Sequence, residues 1–212
     1  MENYIIERAC EGEQRANSYL VIKNNRAILI DASLALEKLE QLLKKNNAKL
    51  DCIFITHAHF DHILNLEKID KKYGVKIYIS KPGFEYVQDI NKNLSYMMES
   101  PFVIKDLANF CAVSDMQEIE CLGGEKIKVL ETPGHCESCL CFKIGDYLFT
   151  GDTLFYNTIG RCDLWNSSEK KMKESLIKLN KIDAQKYFAG HGLAFTRDYA
   201  LKTIDCFIKQ LP

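Results

Sequence analysis

The stretch His57-Ala58-His59-Phe60-Asp61-His62 decides how this chain is read. Three of the five histidines fall within these six residues, directly after the short apolar run 51–56. In an extended segment residues two apart share a face, so His57 and His59 can bind one ion together. Asp61 and His62 then open a helix, where the turn of the chain swings them toward a second ion and the helix amino terminus favours an ionised carboxylate. The alternative is a scatter of ordinary polar residues. Clustering argues against it, because three imidazoles this close would crowd positive charge at mildly acidic pH and have no packing role there.

The same arrangement recurs at three more strand ends. Thr132-Pro133-Gly134-His135 follows a predicted strand over 126–131, Phe149-Thr150-Gly151-Asp152 closes one over 147–150, and Phe188-Ala189-Gly190-His191 closes one over 186–189. Glycine at such corners lets the backbone turn tightly and approach a site closely. Four converging strand ends deliver seven donors: His57, His59, Asp61, His62, His135, Asp152 and His191. Imidazole with carboxylate oxygen and no thiolate suits zinc, iron or manganese, and seven ligands support two ions better than one.

Outward from these corners, apolar runs at 19–22 and 27–30 flank Lys23-Asn24-Asn25-Arg26 and predict a hairpin. Ser33 is the expected cap of a helix carrying Leu36, Leu39 and Leu43, a second helix is expected over 61–73, and a strand over 75–80. Residues 81–121 are less regular and read as a lid or insertion. Further strands are expected over 138–144, between those at 126–131 and 147–150. A helix capped by Ser168 or Ser167 carries Met172, Leu176 and Leu179, and a last helix runs near 199–211. With no repeat and no Pro-, Gly- or Ser-rich linker, the pattern is a layered α/β arrangement in a single domain over 1–212, helices covering packed sheets.

Composition narrows the class of partner. The 212 residues hold 28 Lys plus Arg against 29 Asp plus Glu, a net charge of −1, which leaves no basic footprint for nucleic acid or anionic lipid. A small-molecule substrate is expected, with no nucleic acid and no membrane; oligomeric state is not legible. No apolar run approaches the ~20 residues of a spanning helix, and Met1-Glu2-Asn3-Tyr4-Ile5-Ile6-Glu7-Arg8 lacks the basic-then-apolar order of a signal peptide. Nine cysteines, an odd count, fit a reducing compartment, so a cytoplasmic location is expected. Cys139 and Cys141 alternate with Leu140 and Phe142 along a predicted strand, and core packing is their default role.

The run from His57 to His62 resembles the signature of the metallo-β-lactamase superfamily, and His135, Asp152 and His191 occur in its order. Within it, Gly151-Asp152-Thr153-Leu154-Phe155 followed by Gly160-Arg161-Cys162-Asp163-Leu164 is similar to the short, bacterial, glyoxalase II-like (hydroxyacylglutathione hydrolase-like) hydrolases, as is Asn93-Leu94-Ser95. The resemblance implies a four-layer αββα sandwich with the metals at one edge of the two sheets. It implies one site of His57, His59 and His135, another of Asp61, His62 and His191, and Asp152 bridging two zinc ions, with iron or manganese as the alternative metals. By that likeness a hydroxide held between ions about 3.5–4 Å apart attacks a thioester carbonyl, and Asp61 also orients the water.

Some features depart from the pattern. Relatives that are β-lactamases usually carry a cysteine where Asp152 stands, which argues against that activity. The chain ends about twenty residues after His191, short of the region that binds glutathione in full-length glyoxalase II enzymes, so thioester chemistry in general is expected. Trp165-Asn166-Ser167 replaces the usual Pro and Gly, and Cys136-Glu137-Ser138-Cys139 replaces a usual Pro. The chief rival is the superfamily's persulfide dioxygenases, which hold one iron on the counterparts of His57, His135 and Asp152; a lactone or phosphodiester hydrolase of the same fold is a further alternative. Arg161 is a candidate contact for an anionic substrate, against an ion pair with Asp163 or another carboxylate. Asp31 is a candidate acceptor for a ligand imidazole, against a turn or cap role.

Overall fold

Three antiparallel strands open the chain in the computed structural model, which describes residues 4–10, 12 and 15–212: β1 (Ile5–Ala9), β2 (Ser18–Lys23) and β3 (Arg26–Ile30). Of the amino-terminal stretch read for a signal, Met1–Asn3 lie outside the described residues. The β2–β3 turn is Asn24-Asn25, both at positive φ (51° and 61°), the two-residue geometry whose twist matches a hairpin. Parallel strands follow through helical crossovers: α1 (Leu36–Lys45), β4 (Lys49–Phe54), α2 (Phe60–Ile63), α3 (Leu66–Tyr73), β5 (Lys76–Ser80), α4 (Lys81–Tyr86) and β6 (Phe110–Val113). These six strands form one sheet in chain order.

The second half builds the other sheet from β7 (Glu118–Cys121), β8 (Glu125–Glu131), β9 (Leu140–Ile144), β10 (Tyr147–Gly151), β11 (Lys186–Ala189) and β12 (Phe195–Thr196), in the order β12-β11-β10-β9-β8-β7. Helix α5 (Glu169–Leu179) joins β10 to β11, and α6 (Arg197–Gln210) ends the chain. Ser168 caps α5 as expected, its side chain accepting from the Lys171 N–H.

Side-chain alternation turns the two sheets into four layers. In β2, β3 and β4, Tyr19, Val21, Ile28, Ile30 and Phe54 meet Val129, Phe142, Phe149 and Phe188 between the sheets. The intervening Leu20, Ile22, Leu29 and Ile53 pack outward against Leu39, Leu43, Leu66 and Ile69 of α1 and α3. On the far side Cys141, Leu148 and Tyr187 pack against Met172, Leu176 and Ile204 of α5 and α6. The result is an αββα sandwich. Rings such as Phe54, wholly buried with Phe142 at 5.0 Å, each contribute roughly 1.5–3 kcal/mol of burial.

Several elements differ from the sequence-based expectation. The segment 81–121, read as irregular, supplies α4, a 3-10 turn at Ser95–Met97 and the strands β6 and β7. The helix expected over 61–73 is two helices. Backbone at Ala32 enters the gap between them, its N–H donating to His62 O (2.7 Å) and its carbonyl accepting from Asn65 N–H (2.9 Å). Ser33 does not cap α1, which starts with Ala35 at its N-cap; the Ser33 hydroxyl is buried and makes no hydrogen bond. Among the described residues no helix is long and apolar enough to cross a membrane.

Candidate metal centre

All seven predicted donors meet where β4, β8, β10 and β11 end. His57 and His59 lie on the extended segment after β4, Asp61 and His62 on the single-turn α2, His135 after β8, Asp152 after β10 and His191 after β11. His59 Nδ1 is 3.1 Å from His57 Nε2 and 3.0 Å from His135 Nε2. Ring nitrogens so close fit ligands at about 2.0–2.1 Å from one zinc-like ion. In a second group His191 Nε2 is 3.0 Å and His62 Nε2 3.7 Å from Asp61 Oδ2. Asp152 lies between the groups, Oδ1 at 3.3 Å from His62 Nε2 and Oδ2 at 3.6 Å from both His135 Nε2 and His191 Nε2.

Two atoms show that this cluster is built for a cation. His62 Nε2 and Asp152 Oδ1 are buried and face each other at 3.3 Å, yet neither makes a hydrogen bond, whereas buried polar atoms ordinarily find partners. A divalent ion is the partner that both an imidazole nitrogen and a carboxylate oxygen can share, and the donor set matches the metals named for it. The groups His57–His59–His135, His57–His62–Asp152 and Asp61–His62–His191 each bring their ligand atoms within 4.8 Å of one another.

Charge follows the same design. Burial, then the neighbouring imidazoles, holds His57 far below its usual range, and burial with His135 pushes His59 down to about 3. Both rings are therefore neutral near pH 7, the ligating form. For His62 burial acts downward, but Asp61, Asp31 and Asp152 outweigh it and raise its pKa well above the usual value. Burial likewise opposes ionisation of Asp152, yet His62, His135 and His191 keep it below the ordinary carboxylate range. The pocket thus calls for positive charge around His62 and Asp152, which a metal ion supplies in place of a proton.

Neighbouring groups aim the ligands. Asp31, at φ 59°, accepts from the Thr56 N–H through Oδ1 and from the Thr56 hydroxyl through Oδ2, both at 2.8 Å, and Oδ2 lies 2.7 Å from His62 Nδ1. Thr56 Oγ1 is 3.2 Å from His57 Nδ1, and His135 Nδ1 lies 3.0 Å from the Arg161 carbonyl. Engaging Nδ1 as a donor leaves Nε2 free to ligate, which is how such outer partners tune a metal site. Asp31→Asn keeps a residue that tolerates positive φ but removes the charge. A 10–100-fold loss of metal affinity is expected, read by chelator competition at fixed pH.

Of the remaining candidates, Arg161 forms the alternative interaction: its guanidinium pairs with Asp163 at 2.7 and 2.8 Å and is exposed, and only its carbonyl serves the site. All nine cysteines are free thiols, with Cys139 and Cys141 in the cores as expected. Asn17 and Tyr19 were not legible as site residues. Asn17 N–H donates to Gly190 O (2.6 Å), its side chain to Ala189 O and Gly192 O, and the Tyr19 hydroxyl to Ala189 O (2.7 Å), so the first sheet fixes the loop that carries His191. An Asn before a strand carries no chemical signal in sequence. Gly190 has no room for a side chain, since a Cβ there would fall 2.2 Å from Asp152 Oδ1. Gly151, at φ 48°, presses on Thr56 in the same way.

Comparison with known proteins agrees with this geometry. The model of the metallo-beta-lactamase superfamily matches residues 12–191, and the chain belongs to that superfamily, whose members are generally metal-dependent hydrolases. It is 27% identical over 185 residues to the probable polyketide biosynthesis zinc-dependent hydrolase PksB of Bacillus subtilis (strain 168), covering 86% of this chain and 75% of that protein. It is 28% identical over 202 residues to a hydroxyacylglutathione hydrolase of Francisella philomiragia, covering 93% of this chain and 69% of that one. The crystal structure of the BLEG-1 B3 metallo-beta-lactamase superposes with a TM-score of 0.84 at 23% identity, over 93% of this chain and 97% of that one, a likeness of fold.

Proposed function

We propose that this chain is a binuclear, zinc-dependent hydrolase of small-molecule thioesters, glyoxalase II-like in its chemistry, acting in the reducing cytoplasm without nucleic-acid or membrane partners. The observation that carries the reading is the pair of buried atoms without a hydrogen bond, His62 Nε2 and Asp152 Oδ1, set among the three-residue ligand groups. The zinc-dependent hydrolase and the hydroxyacylglutathione hydrolase among its relatives support the same class. In this reading His57, His59 and His135 hold one ion, Asp61, His62 and His191 the other, and Asp152 is shared.

When bound, two such ions supply hydroxide near neutral pH and polarise a carbonyl oxygen. The chain's own groups set the geometry of attack. His57, His59, His62 and His135 are buried and close the floor of the site, so substrate and water arrive from the side of Asp61 and His191, which are partly exposed. Asp61, kept ionised by His62 and His191 against the pull of burial, orients the attacking water. Asp152, ionised for the same reason, ties the two ligand groups into one unit. The Asp31–Thr56 network holds the His57 and His62 rings still during turnover.

The test is a substrate panel on metal-replete protein: an acyl thioester, a lactone and a phosphodiester, with oxygen uptake on glutathione persulfide measured alongside. Thioester hydrolysis as the fastest reaction is expected. One iron per chain with oxygen consumption would contradict the hydrolase reading.

A further inference from the structure

A cleft of about 460 Å³ opens beside Asp61; Phe60, Leu64, Met97 and Met98 form the apolar half of its lining, and Arg15, Glu99 and Ser100 stand with Asp61 in the polar half. Its size falls in the lower half of the roughly 300–1,000 Å³ range of small-ligand sites. Two parts of the chain build it. Phe60 and Leu64 stand four residues apart at the ends of α2, so they share a face of the same turn that carries Asp61 and His62. The opposite wall is the loop after Asn93, and the two are joined where the Phe60 N–H donates to the Asn93 carbonyl at 2.7 Å.

That loop is pinned at its base and open at its tip. Asn93 Nδ2 donates to Phe102 O (2.9 Å), Asn93 Oδ1 accepts from the Ser95 N–H (2.8 Å), and the Ser95 hydroxyl donates to Phe102 O (3.0 Å) and accepts from its N–H (3.1 Å). Beyond this clasp Tyr96 and Met97 are 53% and 56% exposed. Of the aromatic residues in the region, Phe84 and Phe102 pack on the first core and Tyr86 is buried, so packing accounts for those three but not for the tip. An apolar group held in solvent at the mouth of a cleft marks a contact surface, and methionine is suited to it because its flexible thioether adapts to varied hydrocarbon shapes.

We propose that this cleft is the acyl subsite of the enzyme and selects aliphatic acyl thioesters, with Phe60, Leu64, Met97 and Met98 holding the hydrocarbon chain so that its carbonyl end lies beside Asp61 and the water that Asp61 orients. The assignment rests on the hydrolase reading for its chemistry and on the cleft for its specificity. Four apolar side chains contiguous with a metal-ligating carboxylate place a chain and its reacting carbonyl side by side, with the polar half of the lining left for the rest of the substrate. Each methylene withdrawn from water into such walls raises kcat/KM by about fourfold until the cleft is full.

The experiment uses the full, metal-replete chain with N-acetylcysteamine thioesters bearing acetyl, butyryl, hexanoyl and octanoyl groups. The variant is the double substitution Met97→Ser and Met98→Ser at the loop tip, where Met97 is exposed and Met98 half-buried, with metal content measured for both proteins. A kcat/KM that climbs along the series, and an octanoyl-to-acetyl ratio lowered at least tenfold in the variant, is expected. An equal ratio in the two proteins overturns the subsite. Binding of the non-hydrolysable S-octyl and S-ethyl thioethers of N-acetylcysteamine, followed by calorimetry, separates this outcome from failure of the hydrolase reading. If no thioester turns over, tighter binding of the S-octyl ligand that the variant weakens still upholds the cleft, and equal binding of both ligands overturns it.

Discussion

Asp152→Ala is expected to lower kcat/KM for thioester hydrolysis by at least about 10³-fold and to lower metal content with it. Asp152 contacts ligands of both groups, at 3.3 Å from His62 and 3.6 Å from His135 and His191. Among the described residues no other carboxylate does so, because Asp61 pairs with His62 and His191 alone. The fold does not depend on it, since the cores above and below the site are made of aliphatic and aromatic side chains. Far-UV circular dichroism of the variant should therefore match the parent. Its melting temperature should respond far less to chelator, because an ion bound only by the native state stabilises in proportion to its affinity. Unchanged turnover in the variant would refute the bridging role.

Gly190→Ala carries the second largest effect, and it acts by displacement. The added Cβ would lie 2.2 Å from Asp152 Oδ1 and 2.7 Å from His62 Cε1. The backbone has little freedom to recede, because the Gly190 N–H donates to Gly151 O at 2.8 Å and its carbonyl accepts from Asn17 N–H at 2.6 Å. The ligands must move instead, and a misplacement near 1 Å costs on the order of 10²-fold in rate. Overpacking of this kind also destabilises by about 1–3 kcal/mol, roughly 2–4 °C of melting temperature for each kcal/mol. Metal content and kcat/KM should fall together. The same exchange at Gly74, where an added Cβ meets nothing within 4 Å, should leave metal content alone.

The site was more legible in the sequence than the sheets that hold it. His57, His59, Asp61 and His62 announce themselves because such residues rarely cluster after an apolar strand, and the three Gly-His or Gly-Asp corners repeat the theme. Asp31 was legible for a similar reason, as a carboxylate at the end of its own strand. Asn17, Tyr19 and the Arg161 carbonyl were not, since the first two reach backbone carbonyls 170 or more residues away and the third is itself a backbone atom. The strands divide along a physical line. Seven of the eight interior strands, β2 to β5 and β9 to β11, appear as apolar runs because both of their faces are largely buried, while β8 shows itself by alternation, Ile127 and Val129 buried in turn with Lys126 and Lys128. The four edges, β1, β6, β7 and β12, were missed. They are short and partly exposed, as in Glu118-Ile119-Glu120-Cys121 of β7, where only Ile119 is buried, and charge on an edge is how a sheet avoids pairing with its neighbours. The break between α2 and α3 was hidden for another reason: it is made by hydrogen bonds to the distant backbone of Ala32, which no local pattern records.

Elemental analysis of protein purified without chelator tests the proposed centre, two metal ions held by seven side chains, most directly. Two divalent ions per chain are expected in the parent, falling in Asp152→Ala. A full complement of one ion per chain in active enzyme, unaltered by that substitution, would contradict the binuclear centre.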